Sequence, residues 1–113
     1  MTGNKPITQY EVELKIMELM EELEECTSVF QDLAIDHAKK DAKAKKSWAS
    51  AYIKRTGSIK EREAWADYEA NDSEYEAQIA EALMKSCQQK MSALRTSMDA
   101  LRTIAANVRT LTS

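Results

Sequence analysis

The sequence predicts an all-α protein: a long antiparallel helical hairpin, coiled-coil-like, that assembles into a homo-oligomeric helical bundle or ring. Three observations predict it. The 113 residues hold two glycines and one proline (Gly3, Gly57 and Pro6), so nothing from Pro6 to Gly57, or from Ser58 onward, forces the chain to turn. A sheet fold needs a turn about every ten residues, built largely from Gly, Pro, Asn and Asp. Apolar residues recur in alternating steps of four and three on both sides of Gly57, which is the rhythm of a coiled-coil seam. Charge falls in four blocks, acidic, basic, acidic and basic, an order that folding back at Gly57 brings into opposite-sign register.

Residues 1–7 read as a flexible tail and residues 8–113 as a single helical-hairpin domain. The first helix, 8–55, opens on Thr8-Gln9-Tyr10-Glu11, the spacing of a capping box in which Thr8 caps and Glu11 reaches back. Its seam runs Val12, Ile16, Leu19, Leu23, Cys26, Phe30 and Leu33, passes through His37, weakens over a lysine-rich stretch and resumes at Ala44, Trp48 and Tyr52. Tyr10, Met17 and Met20 widen the stripe, as in a helix that touches more than one neighbour. The turn is 56–58, where Gly57 can take a backbone conformation that ends a helix. Ser58-Ile59-Lys60-Glu61 is a second capping box and opens the second helix, 59–111. Its predicted stripe begins Trp65, Tyr68, Asp72, Tyr75, Ile79 and Leu83, then continues through Cys87, Met91, Leu94, Met98, Leu101, Ala105 and Val108. Successive steps of four between Ile79 and Met91 mark a stutter. A kink in this helix could fall near 71–73, where Ser73 could cap a new start; the unbroken phase favours continuity.

Hairpin geometry pairs residues whose numbers sum to about 113–114, and each helix runs ~70 Å at ~1.5 Å per residue. Residues 11–36 hold nine acids against Lys15, and their partners at 85–109 hold Lys85, Lys90, Arg95, Arg102 and Arg109 against Asp99. Nearer the turn the signs invert. Lys39, Lys40, Lys43, Lys45 and Lys46 are expected to face Asp67, Glu69, Asp72, Glu74 and Glu76. Exposed pairs contribute only ~0.2–1 kcal/mol each, so charge selects register while apolar burial stabilises. The same register places Cys26 near Cys87 and Trp48 near Trp65. A lone hairpin buries little, and stripes this wide leave apolar residues facing water. Self-association is therefore expected through Val12, Ile16, Leu19, Leu23, Phe30 and Leu33 of the first helix. Ile79, Leu83, Met91, Leu94, Met98, Leu101 and Val108 would supply the second.

Function classes narrow by chemistry. Net charge is −3, which gives the chain as a whole no reason to bind nucleic acid. No apolar run approaches the ~20 residues of a membrane span, and the start lacks a signal-peptide core, so no membrane partner and a cytoplasmic setting are expected. Two cysteines without a CxxC, and a single histidine, argue against a disulfide scaffold or a metal site. No phosphate loop, nucleophile elbow or metal pair at helical spacing occurs, so neither catalysis nor a cofactor is expected. His37 falls on the seam and reads as a packing residue. Glu21-Glu22 and Glu24-Glu25 read as a solvated helix face.

The turn region carries the functional signal. From Lys39 to Arg62 there are nine basic residues against Asp41 and Glu61, with Trp48, Tyr52, Trp65 and Tyr68 in or beside the stretch. Cations that track phosphates, interleaved with rings that stack on bases, are what single-stranded nucleic-acid binding needs. Against this, the five lysines at 39–46 have acidic partners in the hairpin register and the rings can be core. Lys54, Arg55, Lys60 and Arg62 stand at the tip without such partners.

The stretch Lys46-Ser47-Trp48-Ala49-Ser50-Ala51-Tyr52, then Gly57-Ser58, Glu61-Arg62 and Asp67, resembles the UvsY-like recombination mediators of bacteriophages. So does the closing segment from Ala93 to Thr103. The likeness spans about residues 30–110 and is one of helix, turn and residue class. It implies a small, helical, oligomeric, non-enzymatic protein that binds single-stranded DNA and helps load a RecA-type recombinase in place of the single-strand binding protein, in the cytoplasm of an infected bacterial host. It points to Lys43, Lys46, Lys54, Arg55, Lys60 and Arg62 as DNA contacts and to Trp48 and Tyr52 as stacking platforms. The acidic first helix departs from that pattern. The small secreted Trp-Xaa-Gly hairpins have similar length, but this turn carries no Trp-Xaa-Gly. Two other readings stay open: a coiled-coil assembly or adaptor module whose partner is a protein, and a DNA-mimicking inhibitor built on the first helix.

Overall fold

A computed structural model describes residues 7–112 as two long helices joined by a short turn, α1 (Gln9–Lys54) and α2 (Ile59–Thr112), with no strand among the described residues. The predicted tail lies outside the described residues apart from Ile7. The first capping box forms: the Glu11 amide donates to Thr8 Oγ1 at 3.1 Å and the Thr8 amide to Glu11 Oε2 at 3.4 Å. At the turn, the Glu61 amide donates to Ser58 Oγ at 3.2 Å and the Arg62 amide to the Ser58 carbonyl at 3.0 Å. Gly57 has φ 127°, and a Cβ there would run into the Glu61 carboxylate. A residue with a side chain is thus disfavoured twice, by backbone conformation and by contact. α2 runs without a break through 71–73. Thr27, Thr96, Thr103 and Thr110 each return their hydroxyl proton to the carbonyl four residues back, so these β-branched residues sit in helix without unsatisfied hydroxyls.

The helices pack as two compact units. Unit one joins the chain up to Ser28 with the chain from Gln88 onward. Its core is Val12, Leu19 and Cys26 of α1 with Met91, Leu94, Met98 and Ala105 of α2, all buried. Ile16, Leu23, Leu101 and Val108 flank it half-buried. Lys90 Nζ reaches Glu22 Oε1 across the pair at 3.6 Å, as antiparallel register about Gly57 requires. The residues expected to join copies are here largely used within the chain. Val12 and Leu19 of α1 and Met91, Leu94 and Met98 of α2 are buried in the hairpin's own helix–helix seam, because that is the nearest apolar surface.

Unit two is Val29–Cys87 and contains the turn. Its core is alanine: Ala44 and Ala51 from α1, Ala66, Ala70, Ala77 and Ala80 from α2. Phe30 and Leu33 are half-buried. The large residues of the predicted α2 stripe point elsewhere: Tyr68 is 72% exposed, Tyr75 63%, Ile79 44% and Leu83 53%. The seam is set by residues that let backbones approach closely, and alanine does so where tyrosine and leucine cannot. The expected cross-helix lysine pairs are also replaced. Lys40 bridges Asp36 and Lys45 bridges Asp41, both at 3.0 Å and both one turn along α1. A lysine finds an acid four residues away without ordering a second helix, which is the cheaper geometry for an exposed pair. Cys26 and Cys87 both remain thiols.

Candidate nucleic-acid interface

The turn end of unit two is built from two matching sets of side chains: Trp48, Tyr52 and Arg55 leaving α1, and Arg62, Trp65 and Tyr68 entering α2. Helical spacing of three and four puts each Trp and Tyr on one face. Trp48 and Tyr52 stack with ring centroids 5.2 Å apart and planes 12° from parallel. Trp65 and Tyr68 meet at 6.0 Å, tilted by 30°. The arginines are exchanged between the two pairs. Arg62 of α2 lies 4.2 Å over the Tyr52 ring and donates Nε–H to the Tyr52 carbonyl at 3.2 Å. Arg55, just past α1, lies 4.7 Å over Trp65. Trp48 Nε1 donates to Asp67 Oδ1 at 2.8 Å. Each side of the turn thus supplies the cation that covers one ring of the other side, an arrangement contributing about 0.5–2 kcal/mol per cation–π contact.

The predicted site residues divide accordingly. Arg55 and Arg62, expected to be uncommitted, are engaged with Trp65 and Tyr52. Trp48 and Tyr52, expected to offer stacking faces, stack on each other. The two tryptophans, expected to pair, each take different partners. Lys43, Lys46, Lys54 and Lys60 are exposed. A groove of about 470 Å³ brings Lys54 and Arg55 together with Ser47, Ser50, Ala51, Trp65 and Glu69. Trp65, Ser47 and Ser50 were not among the predicted DNA contacts. The signal that could have found Trp65 is the recurrence of one Trp, one Tyr and an Arg at helical spacing on each side of Gly57.

A second groove, of about 610 Å³, lies further from the turn between Ala44 and Ala77, walled by His37, Asp41, Trp48, Glu74 and Glu81. The Lys85 ammonium, hydrogen-bonded at 2.7 Å and adding its charge, holds the Glu81 carboxyl below the usual carboxylate range. No group of three or more His, Cys, Asp or Glu among the described residues is arranged to hold a metal ion. No described helix is long and apolar enough to cross a membrane. Comparison with protein-family models, with curated proteins and with solved structures finds no match for this chain.

Proposed function

We propose that this chain is a non-enzymatic, self-associating protein that binds single-stranded DNA at the turn end of unit two. Its role is to serve recombination as the mediators it resembles do, by helping a recombinase load where a single-strand binding protein sits. The observation that carries this reading is the groove in which Lys54 and Arg55 stand beside two serine hydroxyls and the Trp65 ring. Ammonium and hydroxyl groups suit phosphate oxygens, and an arginine already lying on a tryptophan presents a flat cationic surface on which a base can stack. Lys43, Lys46 and Lys60 extend the positive surface. Trp48 and Tyr52 act here by holding the two helices in place, with Trp65 and Arg55 as the stacking platform. Titrating labelled oligothymidylate at several salt concentrations, followed by polarisation, tests the reading. Wild-type binding should weaken steeply with salt. Lys54→Gln with Lys60→Gln should lower the slope of log affinity against log salt by about 1.4, at about 0.7 per lost phosphate contact on a single strand. Absence of binding at low salt would sink it.

A protein partner is the second reading, favoured by the exposed Tyr75, Ile79 and Leu83 on α2. A partner captured from host lysate after nuclease treatment, and lost on Tyr75→Glu with Ile79→Glu, would support it over DNA binding.

A further inference from the structure

The groove of about 610 Å³ in unit two takes no part in the proposed DNA contact, and its walls have a definite chemistry. Its floor is Ala44 and Ala77, both buried, where the two helices approach with only methyl groups between them. Longer side chains on either hand stand up from that floor. The wall at the turnward end is Trp48. Tyr52 stacks on one face of that ring and does not line the groove, which leaves the opposite face to close it. The stack holds the plane of the indole, and the 2.8 Å bond from Nε1 to Asp67 holds its edge. A fixed indole face beside an apolar floor is a surface that attracts organic cations.

The charges of the lining agree. Asp41, Glu74 and Glu81 stand against Lys45 alone, with His37 counted neutral. Asp41 is bonded to Lys45 at 3.0 Å and Glu81 to Lys85 at 2.7 Å, each one turn along its own helix. Glu74 differs: it is half-buried, and its carboxylate makes no ion pair or hydrogen bond among the described residues. Outside the lining, exposed Lys39, Lys43 and Lys46 of α1 stand against exposed Asp72 and Glu76 of α2, so the surroundings are near balance. The uncompensated charge inside the groove is one carboxylate.

We infer that this groove is a binding site for a small, flat organic monocation of the amidinium or guanidinium kind. The cationic head lies between the Glu74 carboxylate and the open face of Trp48, and the apolar body covers the methyl floor. A forked head of this kind takes both carboxylate oxygens at once, the strongest geometry for such a pair. The volume falls within the ~300–1,000 Å³ typical of small-molecule sites. The groove shares no lining residue with the one that holds Lys54, Arg55 and Trp65, so cation binding and DNA binding stand or fall separately.

Two-dimensional NMR of the nitrogen-labelled full-length chain tests this, with benzamidine as the cation and benzamide as its neutral counterpart. The indole Nε1–H signals of Trp48 and Trp65 are told apart with Trp65→Phe. Benzamidine, which at its size binds at about millimolar concentration, should shift the Trp48 signal and leave that of Trp65 in place. Benzamide should bind about tenfold more weakly. Glu74→Gln should weaken benzamidine about tenfold, as losing a charged hydrogen-bond partner does, and its amide spectrum shows whether the variant is folded. Glu76→Gln removes the same charge from an exposed position outside the lining and should change affinity by less than about twofold. An unmoved Trp48 signal would overturn the site. So would benzamide binding as tightly as benzamidine, or equal losses in Glu74→Gln and Glu76→Gln.

Discussion

Ala70→Leu should lower the free energy of unfolding by about 3 kcal/mol, the upper end of what overpacking a buried site costs. Ala70 has no exposed surface, and Ala66 beside it has none either. Around it the seam of unit two is made of other alanines, so no long side chain is available to change rotamer and make room. Three added heavy atoms must push the helix backbones apart, which also loosens Ala44, Ala51, Ala77 and Ala80 along the same seam. Urea denaturation followed by circular dichroism measures the cost. Ala82→Leu is the control, because Ala82 is exposed on the same helix and should change stability by less than about 0.5 kcal/mol. Equal effects of the two substitutions would mean that α1 and α2 do not meet through alanine.

Leu94→Ala should be comparably damaging, about 2–5 kcal/mol, for the opposite reason. Unit one is filled by long side chains, and Leu94 is 8% exposed among Met91, Met98, Val12 and Leu19. Removing its isobutyl group leaves a cavity between two helices that are held apart by the remaining methionines and so cannot close over it. Total stabilities of small domains are about 5–15 kcal/mol, so this one change removes a large share. The same urea experiment applies, and a cost below about 1 kcal/mol would show that unit one is not a packed core. The two substitutions make opposite changes in volume, and each is harmful only in the seam where it is placed.

Much of the fold was legible in residue order. The single turn at Gly57, the capping role of Thr8 and Ser58, and the antiparallel register seen in Lys90 with Glu22 all follow from local rules about glycine, hydroxyl caps and charge. The α2 seam of unit two was not, and the cause is physical. Reading by hydrophobicity gives most weight to Tyr68, Tyr75, Ile79 and Leu83, yet close helix approach selects the smallest residues, and Ala66, Ala70, Ala77 and Ala80 carry the same four-three rhythm one face away. The candidate site was legible in part. A cluster of cations and rings near Gly57 was plain, but a search for salt-bridge partners leaves Arg55 and Arg62 without any, since their partners are aromatic faces. Which exposed lysines remain open to a ligand became clear only after those arginines were placed.

The exchanged arginines and rings at the turn have one more consequence, and it is spectroscopic. Trp48 and Trp65 are the two tryptophans of the chain, and both are held in unit two. Tryptophan emission from this protein is therefore a one-ended gauge. It registers whether Arg55 still covers Trp65 and whether Trp48 keeps its stack on Tyr52 and its bond to Asp67, and it is silent about packing among Val12, Leu19, Leu94 and Met98.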